Sequence, residues 1–156
     1  MQRGLWRDRV TDVVITGAAR TAIGTFGGAL AHADPAGDVG APALALDAEF
    51  VIVGPSGQRV VPAADFFVDL FTTAVGDDEI LAAIRIPKDT GWGAHYEKFV
   101  RVAHQWPIVA VAAQVRVEDG AIAEARVGLT NMGATPVRAS AVEAALVGNQ
   151  PTAEGV

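Results

Sequence analysis

Cysteine is absent from the 156 residues. That removes disulfides, thiolate nucleophiles and cysteine-ligated iron–sulfur clusters from the chemistry this chain can itself carry. Histidine is scarce: His32, His95 and His104 lack the paired or i, i+4 spacing of a metal site, so no bound metal is expected. Aromatic residues make up only 6% of the chain, so a core must come mainly from alanine, valine, leucine and isoleucine. Twelve basic residues face 18 acidic ones, a net charge of −6, which argues against nucleic acid or an anionic membrane surface as the main partner. A local basic pocket for a dinucleotide stays compatible with that balance. No apolar run approaches the roughly 18 residues of a membrane span, and the first residues lack the apolar core of a secretory signal. The expected compartment is the cytoplasm. No Ser-His-Asp arrangement and no poised carboxylate pair can be argued, so no catalytic residue is expected.

The length suits one ordinary domain or two small ones. Residues 11–17 form a short run rich in β-branched residues, and read as a buried strand ending in a turn. Between Gly24 and Asp38 the Gly27-Gly28 pair reads as a turn able to take positive φ and admit another group closely. Asp34-Pro35 after it reads as a helix start, with the carboxylate as N-cap and proline in the first helical position. A glycine turn beside a helix N-terminus suits a phosphate; on spacing alone a plain turn is the commoner meaning. A helix is expected over 35–46, then a hairpin with strands at 49–53 and 58–61. A short helical segment follows over 62–70, then a strand over 77–87 and a charged, glycine-containing linker over 88–93. Strands at 93–101, 108–117 and 122–129 come next, the last two joined through Asp119-Gly120, a strong hairpin signal. A helix over 139–147 ends the pattern.

The residues from Thr25 through Thr25-Phe26-Gly27-Gly28-Ala29-Leu30-Ala31-His32-Ala33-Asp34-Pro35 to Asp38 resemble the pyrophosphate loop of one flavoprotein family. It is the FAD-binding medium subunit of the molybdenum hydroxylases, the group of aerobic carbon monoxide dehydrogenase and xanthine dehydrogenase. The resemblance continues through Pro62-Ala63-Ala64-Asp65-Phe66-Phe67, a Tyr-x-Lys pattern at Tyr96 and Lys98, and the stretch from Gly128 to Ala139. It implies an α+β fold: the second half of a PCMH-type FAD-binding domain over 24–87, then a small antiparallel three-stranded sheet domain backed by helices over 91–156, incomplete at its end. It also implies FAD as cofactor, with Thr25, Phe26, Gly27, Gly28 and Ala29 at the pyrophosphate and Asp38 near the flavin nucleotide. By the same resemblance Leu81 is expected to touch FAD through its backbone or side chain, Tyr96 to pack beside the flavin ring, and Lys98 to supply a cation near it. Phe26 replaces a usually aliphatic residue, and Gln105 stands where aspartate is usual. The implied partners are a large subunit holding the molybdenum cofactor and a small subunit holding 2Fe-2S clusters. The implied work is passing electrons from those clusters to an acceptor.

Two features temper this. The family's other glycine-rich loop, of the Ala-Gly-Gly-x-Ser type, has no counterpart here, so a fragment acting as a scaffold without flavin is the alternative. Residues 11–30 also resemble the opening strand and loop of a thiolase. Acyl-transfer chemistry of that kind needs a cysteine and is not carried over. The switch at Gly27-Gly28 reads either as a junction between unrelated coding sequences, making 1–23 a foreign segment, or as a chance likeness of two glycine turns.

Overall fold

Two antiparallel sheets share one short helix, which is clamped between them. The computed structural model describes residues 10–13 and 22–152. In chain order the elements are β1 (Val10–Val13), α1 (Ala22–His32), α2 (Gly40–Ala45), β2 (Glu49–Gly54), β3 (Gly57–Pro62), α3 (Ala63–Phe66), β4 (Phe67–Asp69), β5 (Thr72–Thr73), β6 (Ile80–Pro87), β7 (Trp92–Phe99), β8 (Val109–Glu118), β9 (Ala121–Thr130), β10 (Val137–Arg138) and α4 (Ser140–Leu146). The first sheet runs β1-β6-β2-β3 and the second β10-β9-β8-β7, with a small β4-β5 pair apart. This is the α+β arrangement the sequence implies: three long antiparallel strands with a two-residue edge strand and helices against them. The expected strand at 11–17 is seen as β1, paired with β6 from Val10 opposite Pro87 to Val13 opposite Ile84; residues 14–17 lie outside the described part.

Phe50, Phe66, Leu30 and Ile52 fill the first core and are essentially fully buried. Phe50 and Phe66 stack with centroids 3.9 Å apart, and Phe67 meets Phe66 edge-on at 5.2 Å. That aromatic corner explains a departure from expectation. The helix predicted over 62–70 stops at Phe66, because Phe67 turns extended to place its ring, and the chain goes on as β4. A second departure concerns the helix expected from Pro35. Asp34 holds a turn instead, its Oδ1 accepting from Ala36 N at 2.9 Å and its carbonyl from Gly37 N at 2.8 Å. The helix starts only at Gly40, and Asp34 is not its N-cap.

Strand alternation puts Tyr96, Ala112 and Gly128 in one cross-strand row, and Lys98, Ala110 and Thr130 in the next. This face is low because its central positions are alanine and glycine, so a helix can settle on it closely. Ala41 and Ala45 of α2 bury themselves against Ala112 with Tyr96 alongside, while Ala43 and Leu44 of the same helix enter the first core. Charged groups fasten the seam. Asp47, just past α2, forms an ion pair with Arg126 Nε at 3.0 Å and accepts from Arg138 at 2.6 Å. Asp89 in the linker accepts from Arg126 at 2.7 Å. Gln114, buried on β8, donates to Ala45 O at 2.7 Å. Arg126 also lies over the Trp92 ring at 4.2 Å. At the far end of the second sheet Asp119 and Gly120 both take positive φ, 50° and 80°, the hairpin turn their sequence predicts.

The closeness of the seam is set at Gly128, where an added Cβ would stand 2.3 Å from Ala41 O. Backbone cannot yield as a side-chain tip can. Gly128→Ala is therefore expected to destabilise the protein by about 1–3 kcal/mol in urea unfolding, as overpacking does. Gly93→Ala, on the exposed strand β7 with nothing within 4 Å of the new Cβ, is expected to stay within about 0.5 kcal/mol of the parent.

Candidate functional site

Tyr96 and Lys98 alternate along β7 and so share its inner face. The turn before α2 brings Asp38 against both. Tyr96 Oη donates to Asp38 Oδ1 at 3.0 Å, and Lys98 Nζ donates to Asp38 Oδ2 at 2.7 Å. Both carboxylate oxygens are therefore engaged by side chains about 60 residues further along the chain. Burial, followed by the hydrogen bond to Asp38 and the Asp38 charge, pushes the Tyr96 phenol up to about 12, while Thr130 works in the opposite direction. A phenol facing a carboxylate ionises late because its anion would be both poorly solvated and repelled.

A cleft of about 170 Å³ opens beside this cluster, lined by Ala36, Gly37, Asp38, Lys98, Gln105 and Trp106 among others. Its rim is tied across the seam: Trp106 Nε1 donates to Asp34 Oδ2 at 2.9 Å, although the Trp106 side chain is mostly exposed. The Asn131 amide N–H reaches Pro35 O at 2.8 Å, and Asn131 Nδ2 reaches Pro107 O at 3.0 Å. One residue thus fastens both lips of the cleft. A second, apolar cleft of about 210 Å³ lies between α2 and the second sheet, lined by Pro42, Ala45, Leu46, Ala94, Tyr96 and Ala112 among others.

Of the residues singled out in the sequence, Asp38, Tyr96 and Lys98 come together. Leu81 does not join them: it sits on β6 opposite Ile52 and packs against the first core. Thr25, Phe26, Gly27, Gly28 and Ala29 belong to α1 rather than to a turn. Neither Gly27 nor Gly28 takes positive φ, and Leu30, buried at the end of the run, anchors it as helix. Thr25 thus lies in the first turn of α1, with the glycine pair about one turn on. There Gly28 is exposed, and an added Cβ would meet nothing within 4 Å. The sequence reading missed Trp106 and Asn131 as rim residues. The signals for them were weak: an exposed aromatic in a loop, and an asparagine that only a strand end at positive φ (61°) turns back toward the seam.

The cluster can hold a cation and a phenol in fixed positions at the mouth of a cleft. Among the described residues no group of three or more histidine, aspartate or glutamate side chains is suited to a metal, and no helix is long and apolar enough to cross a membrane.

Residues 14–89 match the family described as FAD binding domain in molybdopterin dehydrogenase, and residues 94–156 match the CO dehydrogenase flavoprotein C-terminal domain. The first match begins inside the stretch that also resembles a thiolase start. The chain is 35% identical over 136 residues to the carbon monoxide dehydrogenase medium chain of Hydrogenophaga pseudoflava, covering 85% of this chain and 47% of that protein. It is 36% identical over 141 residues to the carbon monoxide dehydrogenase medium chain of Afipia carboxidovorans, covering 90% of this chain and 49% of that protein. The solved carbon monoxide dehydrogenase from Hydrogenophaga pseudoflava that lacks the Mo-pyranopterin moiety superposes with a TM-score of 0.79 at 39% identity, over 84% of this chain and 46% of that one. The chain thus spans about half the length of the curated relatives it matches.

Tyr96 is the only tyrosine in the chain, so tyrosinate absorbance reports it alone. Its titration midpoint is expected near 12 in the folded protein, against about 10 in urea, and Asp38→Asn is expected to lower the folded value. Because the folded pKa exceeds the unfolded one, the folded state holds this proton more tightly. The associated stability is fully present below pH 10 and is lost as pH rises from about 10 to about 12. Unfolding midpoints measured across that range check the sign.

Proposed function

Since the chain belongs to the FAD-binding medium subunits of the molybdenum hydroxylases, we propose that it contributes a flavin site at the seam between its two sheets. In the whole assembly it then passes electrons from 2Fe-2S clusters in a small subunit, reduced by the molybdenum-cofactor large subunit, to an external acceptor. The observation that carries this reading is the meeting of Asp38, Tyr96 and Lys98, three residues from separate segments, at the mouth of one cleft. FAD, when bound, supplies the step between single-electron carriers and a two-electron acceptor. Lys98 fits such a ligand as a cation for its negative charge, and Tyr96 as a flat surface beside its ring. Asp38 holds both in place. The N-terminal turn of α1 is the proposed side for the pyrophosphate, and Gly27, Gly28 and Ala29, without bulky side chains, allow close approach on that side.

The second reading, a scaffold that holds no flavin, draws on one observation: Lys98 is already paired with Asp38 at 2.7 Å, so a phosphate competes with a carboxylate for it. Affinity separates the two. Three or four charge-assisted hydrogen bonds contribute on the order of 1.5–3 kcal/mol each, against several kcal/mol for ordering the ligand. The balance corresponds to a Kd of roughly ten micromolar to one millimolar. The chain is expected to purify colourless and to bind added FAD in that range by fluorescence titration. Lys98→Met is expected to weaken binding about tenfold or more. Gly28→Val is expected to abolish it by blocking backbone approach without disturbing the chain's own packing. No binding at millimolar FAD supports the scaffold. Stoichiometric FAD kept through gel filtration shows that this count of contacts is too small.

A further inference from the structure

Trp106 is 69% exposed, yet it is held in place. Its Nε1 donates to Asp34 Oδ2 at 2.9 Å. The other oxygen of that carboxylate accepts from Ala36 N at 2.9 Å, so the acceptor is itself fixed. On the following residue, Pro107 O accepts from Asn131 Nδ2 at 3.0 Å. Two residues before the indole, His104 takes positive φ, 66°, a conformation that a residue with a side chain keeps only where its surroundings impose it. A loosely exposed apolar residue needs no explanation; a large ring fixed in solvent does. Apart from the one hydrogen bond, the ring's breadth brings the fold little burial, whereas a surface already fixed lowers the cost of binding a ligand. The indole lines the same cleft of about 170 Å³ as Asp38 and Lys98. Tyr96 lines the apolar cleft instead, so Trp106 is the broadest flat side chain on the polar one. Ala36 and Gly37 bring only a methyl group and a hydrogen to that cleft, which leaves room for a planar guest.

We propose that Trp106 is a specificity-determining residue: its indole stacks on a planar heteroaromatic ring that enters the cleft, while Asp34 is the positioning residue that sets the plane of the indole. Lys98, on the same cleft, is the cation for that ligand's phosphate. A dinucleotide such as FAD offers two rings of this kind, the isoalloxazine and the adenine. That the ligand is FAD rests on the proposed function; the stacking role requires only a phosphorylated ligand with a planar ring.

The test is equilibrium dialysis of the chain against FAD, FMN and ADP in turn, with circular dichroism tracking the fold. Trp106→Leu keeps an apolar side chain but has no flat face, and is expected to weaken FAD about tenfold, as loss of one ring stack does. Trp106→Phe keeps a flat face and is expected to stay within about threefold of the parent. Trp106→Gln keeps an N–H for Asp34 while removing the ring. It is expected to behave as leucine does, which separates stacking from the rim contact, and it decides the matter should the leucine variant not fold. Asp34→Asn keeps an oxygen for Ala36 N but loses the acceptor for the indole, and is expected to weaken FAD a few-fold. Loss confined to FMN assigns the stacked ring as flavin, and loss confined to ADP assigns it as adenine; either supports the proposal. Leucine and glutamine variants that bind all three ligands as the parent does, whatever their melting temperatures, overturn it and leave the flavin reading standing. Trp106-dependent binding of ADP without binding of FAD or FMN contradicts the flavin reading and leaves the stacking role standing. A parent chain that binds none of the three at millimolar concentration overturns both.

Discussion

The seating of α2 on the second sheet is the constraint on which the rest depends. Six residues long, Gly40 to Ala45, that helix is too short to be stable alone and exists because both its sides are buried. One side enters the aromatic core through Ala43 and Leu44, and the other meets the alanine face of β8 through Ala41 and Ala45. A backbone oxygen can approach β9 so closely only because position 128 has no side chain. Arg126 and Arg138 then bind Asp47 from the second sheet. Partly buried arginines of this kind are costly to strand without their carboxylates, so the charged contacts enforce a seam that alanine packing alone would hold weakly.

The candidate site is a by-product of that seam. Asp38 stands two residues before α2, and Tyr96 and Lys98 stand on the edge strand of the sheet that receives it. Without the docking, the carboxylate and the two donors belong to different bodies. With it, each carboxylate oxygen acquires one donor and the cleft acquires walls from both sides. The rim contacts, Trp106 to Asp34 and Asn131 to Pro35, repeat the pattern on a smaller scale, each joining a loop of the second sheet to the 34–37 turn. A flavin at this place, as proposed, would be gripped by two units at once.

Much of this was legible in the residues. Period-two alternation put Tyr96 and Lys98 on one face, Asp119-Gly120 announced its hairpin, and the likeness to the flavoprotein family picked out Asp38. What escaped depended on tertiary context. Gly27-Gly28 reads as a turn because glycine permits positive φ, yet permission is not requirement, and burial of Leu30 carries the helix through it. Asp34-Pro35 has the residues of a helix start, but the same aspartate caps a tight turn just as well, and the contact from Asn131 favours the turn. Leu81, implied to touch FAD, lies partly buried against the first core, away from the Asp38 cluster.

The amide of Asn131 reports the seam most directly, because its hydrogen is given to Pro35 O across the junction rather than to its own sheet. Native-state hydrogen exchange read at that amide tests whether α2 and its flanking turn are truly fastened to the second sheet. The account predicts protection comparable to the ladder amides of β8 and β9, with exchange by the same opening. Exchange at the rate of an exposed loop, while β8 and β9 remain protected, would mean that the two sheets part freely and that the Asp38 cluster is not a built site.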